Sequence, residues 1–308
     1  MNGVINIYKE EGLTSFDVCK EIRKISGEKK IGHTGTLDPK ATGVLPICLG
    51  KATKIIDYIM NDNKSYFTEF KLGINTDTYD LEGKVIEEFD ISTITEEDVE
   101  KAVLSFCKEY MQVPPMYSAL KKNGVRLYDL ARQGIEVERE GRRVVIYNIE
   151  NIKINLPYVS MDVTCSKGTY IRSLCFDIGQ KLNVGATVTK LERTRTSSFY
   201  KENSIKLSEL TKENIHNYLI TIEEALKKYD SIKINKGFSK LLVNGVKVCD
   251  KRVINCNVKE NILYRIYDEN NIFLGLGMKD EKGLKMSKLL IWLYICIRRL
   301  INDYLWWS

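Results

Sequence analysis

Histidine is scarce in this chain of 308 residues: His33 and His216 are its only two. The eight cysteines (Cys19, Cys48, Cys107, Cys165, Cys175, Cys249, Cys256 and Cys296) never form a C-x-x-C pair. A zinc site or dithiol centre would have to be assembled from scattered positions. Most of these cysteines sit among Ile, Leu and Val, and we expect small buried hydrophobes in a reducing compartment. Proline is sparse too, at 5 residues, beside 44% hydrophobic and 29% charged residues. That balance excludes a disordered, collagen-like or staple-dependent chain. Near the carboxyl end the apolar run LLIWLYICI, Leu289 to Ile297, is followed at once by Arg298 and Arg299. It is too short to span a bilayer, and the amino terminus lacks a basic-then-apolar leader. A soluble, cytoplasmic protein with no membrane partner is expected.

Nucleotide motifs are missing as well. The glycine-rich stretch GHTGTLDPKATGVLPICLGKATK, Gly32 to Lys54, separates Gly43 from Gly50-Lys51 by six residues, and Ala52 follows the lysine. A phosphate loop needs four residues there and a Ser or Thr after the lysine. No G-x-G-x-x-G fingerprint occurs in the stretch either. What remains is a loop too broken for one helix and too apolar for a linker, which in a folded domain points to function. Its glycines permit close approach of a bulky planar ligand to the backbone. Asp38 and His33 lie within one loop's reach of each other. The plainer reading is that His33 fills the loop and Asp38 makes a turn with Pro39.

Around that loop the pattern is α+β. A strand is predicted over Val4 to Tyr8, a helix over 16–26 behind Ser15, and a strand over Ser65 to Gly73. Thr95 with Asp98 forms a capping box opening a helix that should run to about Tyr110. Strands are expected over 144–156 and, by clean alternation, over YVSMDVTC, Tyr158 to Cys165. A helix follows with Ile171, Leu174, Cys175 and Ile178 as its stripe. Arg172 sits unfavourably for the dipole at the start of this helix. A carboxylate partner would explain it, and a surface arginine in a turn is the bland alternative. Thr221 with Glu224 is a second box. Beyond Gly237 short strands are expected, with Asn244-Gly245 and Asp268 to Asn271 as hairpin connections. Length and texture give two domains, 1–230 and a mostly β unit over 231–290, followed by an atypical apolar tail, 291–308.

Net charge is +6, which suggests an acidic partner only where the bases cluster. They do so at Lys121, Lys122, Arg126 and Arg132, with Lys190, Arg193 and Arg195 next, although simple solvation accounts for any one of them.

GHTGTLDPKATGVLPICLGKATK closely resembles the signature of the bacterial tRNA pseudouridine-55 synthases, the TruB family. So do GVINIYKEEGLTSFDV, KSYFTEFKLGINTDTYDLEG, QVPPMYSALKKNGVRLYDLARQG, KGTYIRSLCFDIG and LERTRTSSF, in order over most of residues 3–199. The resemblance implies a pseudouridine synthase fold with a mixed, largely antiparallel central sheet. It implies that Asp38 is the catalytic aspartate and Arg172 its ion-pair partner. Tyr66 would pack against the target base as a candidate for proton transfer, Tyr170 and Leu191 would line the pocket, and His33 would attend the flipped-out nucleotide. The implied substrate is uridine 55 in the T arm of transfer RNA, with no cofactor, no metal and no DNA. A monomer is the default. Ser197 stands where the family often carries glycine, and LLVNGVKV and LYRIYDENNIFLGLG resemble its small PUA-like RNA-binding module. The tail fits nothing in the family. The competing readings are a non-catalytic RNA-binding or RNA-folding protein and a synthase acting on another RNA.

Overall fold

The computed structural model describes residues 1–249 and 258–291. Its chain divides into two compact units: Ile5–Ile47 with Ile56–Tyr218, and Met1–Val4 with Cys48–Ile55 and Leu219–Ser308.

The larger unit is organised by a ten-stranded mixed sheet. Its strands run in the order Ile205–Lys206, Gly3–Lys9, Thr42–Leu49, Ala186–Thr196, Lys64–Leu72, Tyr158–Cys165, Arg142–Asn155 and Glu109–Gln112, with Ile31–His33 and Phe199–Tyr200 at the sides. Alternation explains the centre. Lys64–Leu72 and Tyr158–Cys165 each bury every second residue, and they pair antiparallel over eight positions from Tyr158↔Lys71 to Cys165↔Lys64. Phe70, Leu72, Val159, Met161 and Val163 thereby face the helices Glu96–Leu104 and Ile171–Lys181, whose Val99, Val103, Leu174 and Ile178 complete the core. Of the cysteines, Cys19, Cys48, Cys165 and Cys175 are buried, Cys107 and Cys249 are exposed, and Cys256 and Cys296 lie outside the described residues.

Three local expectations are corrected. The helix behind Thr95 stops at Leu104 instead of Tyr110, because Glu109–Gln112 is recruited as an edge strand against Arg142–Val145. The helix Ser15–Ser26 is capped by Thr14, whose side chain accepts from the Asp17 amide. Ser15 is instead buried, with its hydroxyl accepting from Leu37 N at 2.9 Å and donating to Leu37 O. Asn244-Gly245 is no hairpin turn: it ends the helix Lys236–Val243, with Gly245 at φ +82° and its N–H on Leu242 O. Asn235 caps that helix, and its Leu242 face is needed by the core.

In the smaller unit, Ser231–Lys233, Leu263–Tyr267, Phe273–Asp280 and Gly283–Leu289 form a four-stranded sheet. The first pair is parallel and the others antiparallel, with Asp268 turning the hairpin as expected. Ile232, Leu242, Ile266, Leu274 and Leu284 make its core. Apart from Ile291, the expected tail over 291–308 lies outside the described residues. Among the described residues no helix is long and apolar enough to cross a membrane.

Candidate active site

Strand register brings the site together. Tyr66 on Lys64–Leu72 pairs with Arg193 on Ala186–Thr196, and Arg193 pairs in parallel with Gly43. Only glycine fits at position 43: its φ is +107°, and a Cβ there would stand 2.2 Å from the Arg193 carbonyl oxygen. The close approach sets the Thr42–Leu49 strand, and with it the preceding loop that carries Asp38.

Asp38 is gripped at its carboxylate, and its carbonyl accepts from Ala41 N at 3.1 Å. Arg172, in the first turn of Ile171–Lys181, donates from Nε to Asp38 Oδ2 at 2.9 Å, and its other nitrogens reach Asp80 Oδ2 at 3.2 Å, Thr78 O at 2.8 Å and Tyr117 O at 2.8 Å. The guanidinium is only 5% exposed whereas Asp38 is 38% exposed. A buried cation thus aims a carboxylate at open space, and the carboxylates and carbonyls around it offset its desolvation. Below the loop, Lys9 is fully buried and donates to the carbonyls of Glu10, Leu13 and Pro39. Burial lowers it to about 8, against the pull of Asp38.

Arg193 was expected among the RNA-facing bases, and the structure places it elsewhere. It is 1% exposed and spends its guanidinium on Val44 O (2.8 Å), Gly35 O (3.1 Å) and Thr36 O (3.5 Å). Its partners are what the sequence could not show: a charged residue at strand spacing reads as solvated until the sheet register is known. Burial pushes the Tyr66 hydroxyl up to about 12, with Arg193 opposing, so Tyr66 is protonated at neutral pH. Asp80, Lys9 and Gln112 were likewise not singled out; each acts through backbone or buried contacts.

Asp38 opens onto two cavities that share Ala41, Arg172 and Leu191. One, of about 570 Å³, is lined by Tyr66, Tyr170 and Ser118 with Lys64, Arg142, Arg143, Lys167, Arg172 and Arg193 against a single carboxylate, Asp38. The other, of about 490 Å³, sets Asp38, Glu11, Asp80, Glu82 and Glu192 against Lys40, Lys190 and Arg172. Both have the size of a small-molecule site, but only the first suits a polyanion, because lining charges of one sign focus the field in a cleft.

The structure brings Asp38, Tyr66, Arg172, Tyr170 and Leu191 to that first cleft. His33 is not among its lining residues; its Nδ1 accepts from the Gly35 amide at 3.3 Å, and burial and Arg193 lower its pKa. Lys121, Lys122 and Arg126 are exposed on the small hairpin Lys121–Lys122/Val125–Arg126. Arg126 and Arg132 both lie over the Tyr128 ring, at 5.6 and 5.4 Å. These bases are outside the cleft lining.

A mixed sheet whose central strands present a gripped carboxylate and a buried tyrosine in a cationic cleft is the arrangement of an RNA-modifying isomerase, a pseudouridine synthase. The family model for the TruB family pseudouridylate synthase amino-terminal domain matches residues 23–171, and that for the tRNA pseudouridylate synthase B carboxyl-terminal domain matches 172–229. The chain is 60% identical over 292 residues to tRNA pseudouridine synthase B of Clostridium perfringens (strain SM101 / Type A), spanning 94% of this chain and 99% of that protein. It is 59% identical over 291 residues to the same-named protein of Clostridium tetani (strain Massachusetts / E88), at 94% and 100% coverage. Among solved structures it superposes on a chain of a Cbf5-Nop10-Gar1 complex with TM-score 0.71 and 27% identity, covering 94% of this chain and 85% of that one. The chain belongs to the TruB family.

Proposed function

We propose that this enzyme converts uridine 55 in the T arm of transfer RNA to pseudouridine. The observation that carries the proposal is the Asp38–Arg172 contact of 2.9 Å at the mouth of a cationic cleft holding Tyr66. The reaction breaks the C1'–N1 bond, turns the uracil, joins C1' to C5 and moves the C5 proton to solvent while N1 regains one. It is redox-neutral, so the proposed route uses no cofactor. A carboxylate serves by attacking the sugar or by stabilising its developing positive charge. Arg172 orients the Asp38 carboxylate, and Tyr66 walls the cleft so that the detached base recombines instead of being lost to water. The target uridine must be flipped from its loop to reach Asp38.

RNA recognition rests on shape and backbone contacts. Lys121, Lys122, Arg126 and Arg132 form the outer contact surface in this proposal. The unit over 231–290 acts as a PUA-like RNA-binding module, and the enzyme works as a cytoplasmic monomer. His33 attends the flipped nucleotide through the loop it fills, in its neutral form. The test is site mapping of pseudouridine after incubation with wild-type T-arm RNA and with RNA carrying cytidine at position 55. Product confined to position 55 of the first RNA supports the proposal. Product at another uridine retains the enzyme and discards the position, and tight binding without product points to the RNA-folding alternative.

A further inference from the structure

The cations of the active cleft differ in how fully they are engaged. Arg172 and Arg193 are consumed by Asp38, Asp80 and loop carbonyls. Lys64 donates to Met60 O and Asp62 O, Lys167 to Asn61 Oδ1, and Arg143 pairs with Glu109 at 3.3 Å. Arg142 is different. Its Nε–H is buried with no hydrogen-bond partner, and among the described residues it forms no ion pair. A buried unmet donor costs ~1–3 kcal/mol, so its persistence in a cleft asks for a ligand.

The side chain is nonetheless held still. Its guanidinium lies over the Tyr170 ring at 4.4 Å. The Gly168 backbone flanks it: a Cβ there would come within 3.5 Å of the guanidinium carbon, and φ of +83° keeps other residues away. Tyr170 is itself clamped. Gln112, fully buried, accepts from Tyr170 N at 2.8 Å and donates to Tyr170 O at 3.0 Å. The ordering cost of a gripping arginine has thus been met before the ligand arrives. Ser118, 5% exposed on the same cleft wall, also has a hydroxyl without a partner. Two unmet polar groups in a cationic cleft call for an oxygen-rich anion, and a planar fork fits phosphate in bidentate fashion.

We propose that Arg142, stacked on Tyr170 and Gly168, binds an RNA backbone phosphate flanking the uridine presented to Asp38. This rests on the reading of the cleft as an RNA site. The test is a cycle between protein and RNA: wild type and Arg142→Gln against T-arm RNAs with a single neutral methylphosphonate on the 5' or the 3' side of the target uridine. Dissociation constants are measured across a salt series, so the result does not depend on turnover. One methylphosphonate should weaken wild-type binding on the order of tenfold and leave Arg142→Gln within twofold. The variant should also lose about one unit of salt slope. Arg142→Lys, which keeps a phosphate-seeking charge, should restore the slope and part of the coupling even if Arg142→Gln folds poorly. Losses that multiply at both positions, or a slope unchanged in both variants, would overturn the assignment in favour of stacking on a base. Absence of product from wild type on unmodified RNA would instead refute the proposed activity and leave the cycle to be read as binding alone.

Discussion

Arg193→Lys keeps a positive charge but loses the fork. The guanidinium serves Val44 O, Gly35 O and Thr36 O at 2.8, 3.1 and 3.5 Å. One ammonium on a longer, flexible stem can meet one or two of these. The Thr36 contact is long and counts for little, which leaves about one buried acceptor unmet at ~1–3 kcal/mol. A local penalty of ~1–3 kcal/mol falls on the loop between His33 and Thr42, which can relax by opening instead of unfolding the sheet. Asp38 sits in that loop, and a displacement of about 1 Å in a reacting group costs on the order of 100-fold in rate. We therefore expect single-turnover rates on saturating RNA to fall about 100-fold, with RNA affinity within threefold of wild type, because a side chain 1% exposed reaches no phosphate. A rate within threefold of wild type would refute the positioning role. Weakened binding with a shallower salt slope would return Arg193 to the RNA-contact set.

Other consequences are as direct. Asp177 is held by burial at about 7 and faces the Tyr110 hydroxyl. Its folded pKa lies above the unfolded one, so its stabilising contribution is complete below about 4 and disappears as pH rises through about 7. Asp177→Asn should flatten the melting-temperature profile between pH 5 and 8 and exceed wild type at pH 8 by about 1 kcal/mol; an unchanged profile would count against it. Ser197 has φ +56° and a buried hydroxyl without a partner, so Ser197→Gly should raise stability by ~1–2 kcal/mol, read as a rise of a few degrees on thermal unfolding. Lys121→Ala with Lys122→Ala should weaken RNA binding and reduce its salt slope by up to about 2, leaving saturated turnover intact. Loss of turnover at saturation would place that hairpin in the chemistry.

Elements governed by local period were legible. YVSMDVTC is a strand at its predicted ends, and the Arg172 helix begins one residue after Tyr170. Residues with tertiary partners were misread. Ser15 precedes the predicted helix and suits a helix start by type, yet Thr14 caps it and the Ser15 hydroxyl is claimed by Leu37, twenty-two positions along. Asn244-Gly245 carries the same left-handed signal whether it closes a hairpin or ends a helix, and the Leu242 face decided. At the site, the unfavourable dipole position of Arg172 pointed correctly to a carboxylate. Nothing local pointed to Asp80 as a second one, or to Arg193 as buried. Those depend on which strands pair, which is a long-range property of the sheet.

The central claim is that Asp38 carries an isomerisation at uridine 55. Tritium release from transfer RNA transcribed with 5-tritiated uridine tests it most directly, because joining C5 to the sugar expels that tritium. The account predicts release near one equivalent per RNA from wild type. It predicts none from Asp38→Asn, at unchanged RNA affinity, and none when position 55 is cytidine. Release by Asp38→Asn at the wild-type rate would contradict it.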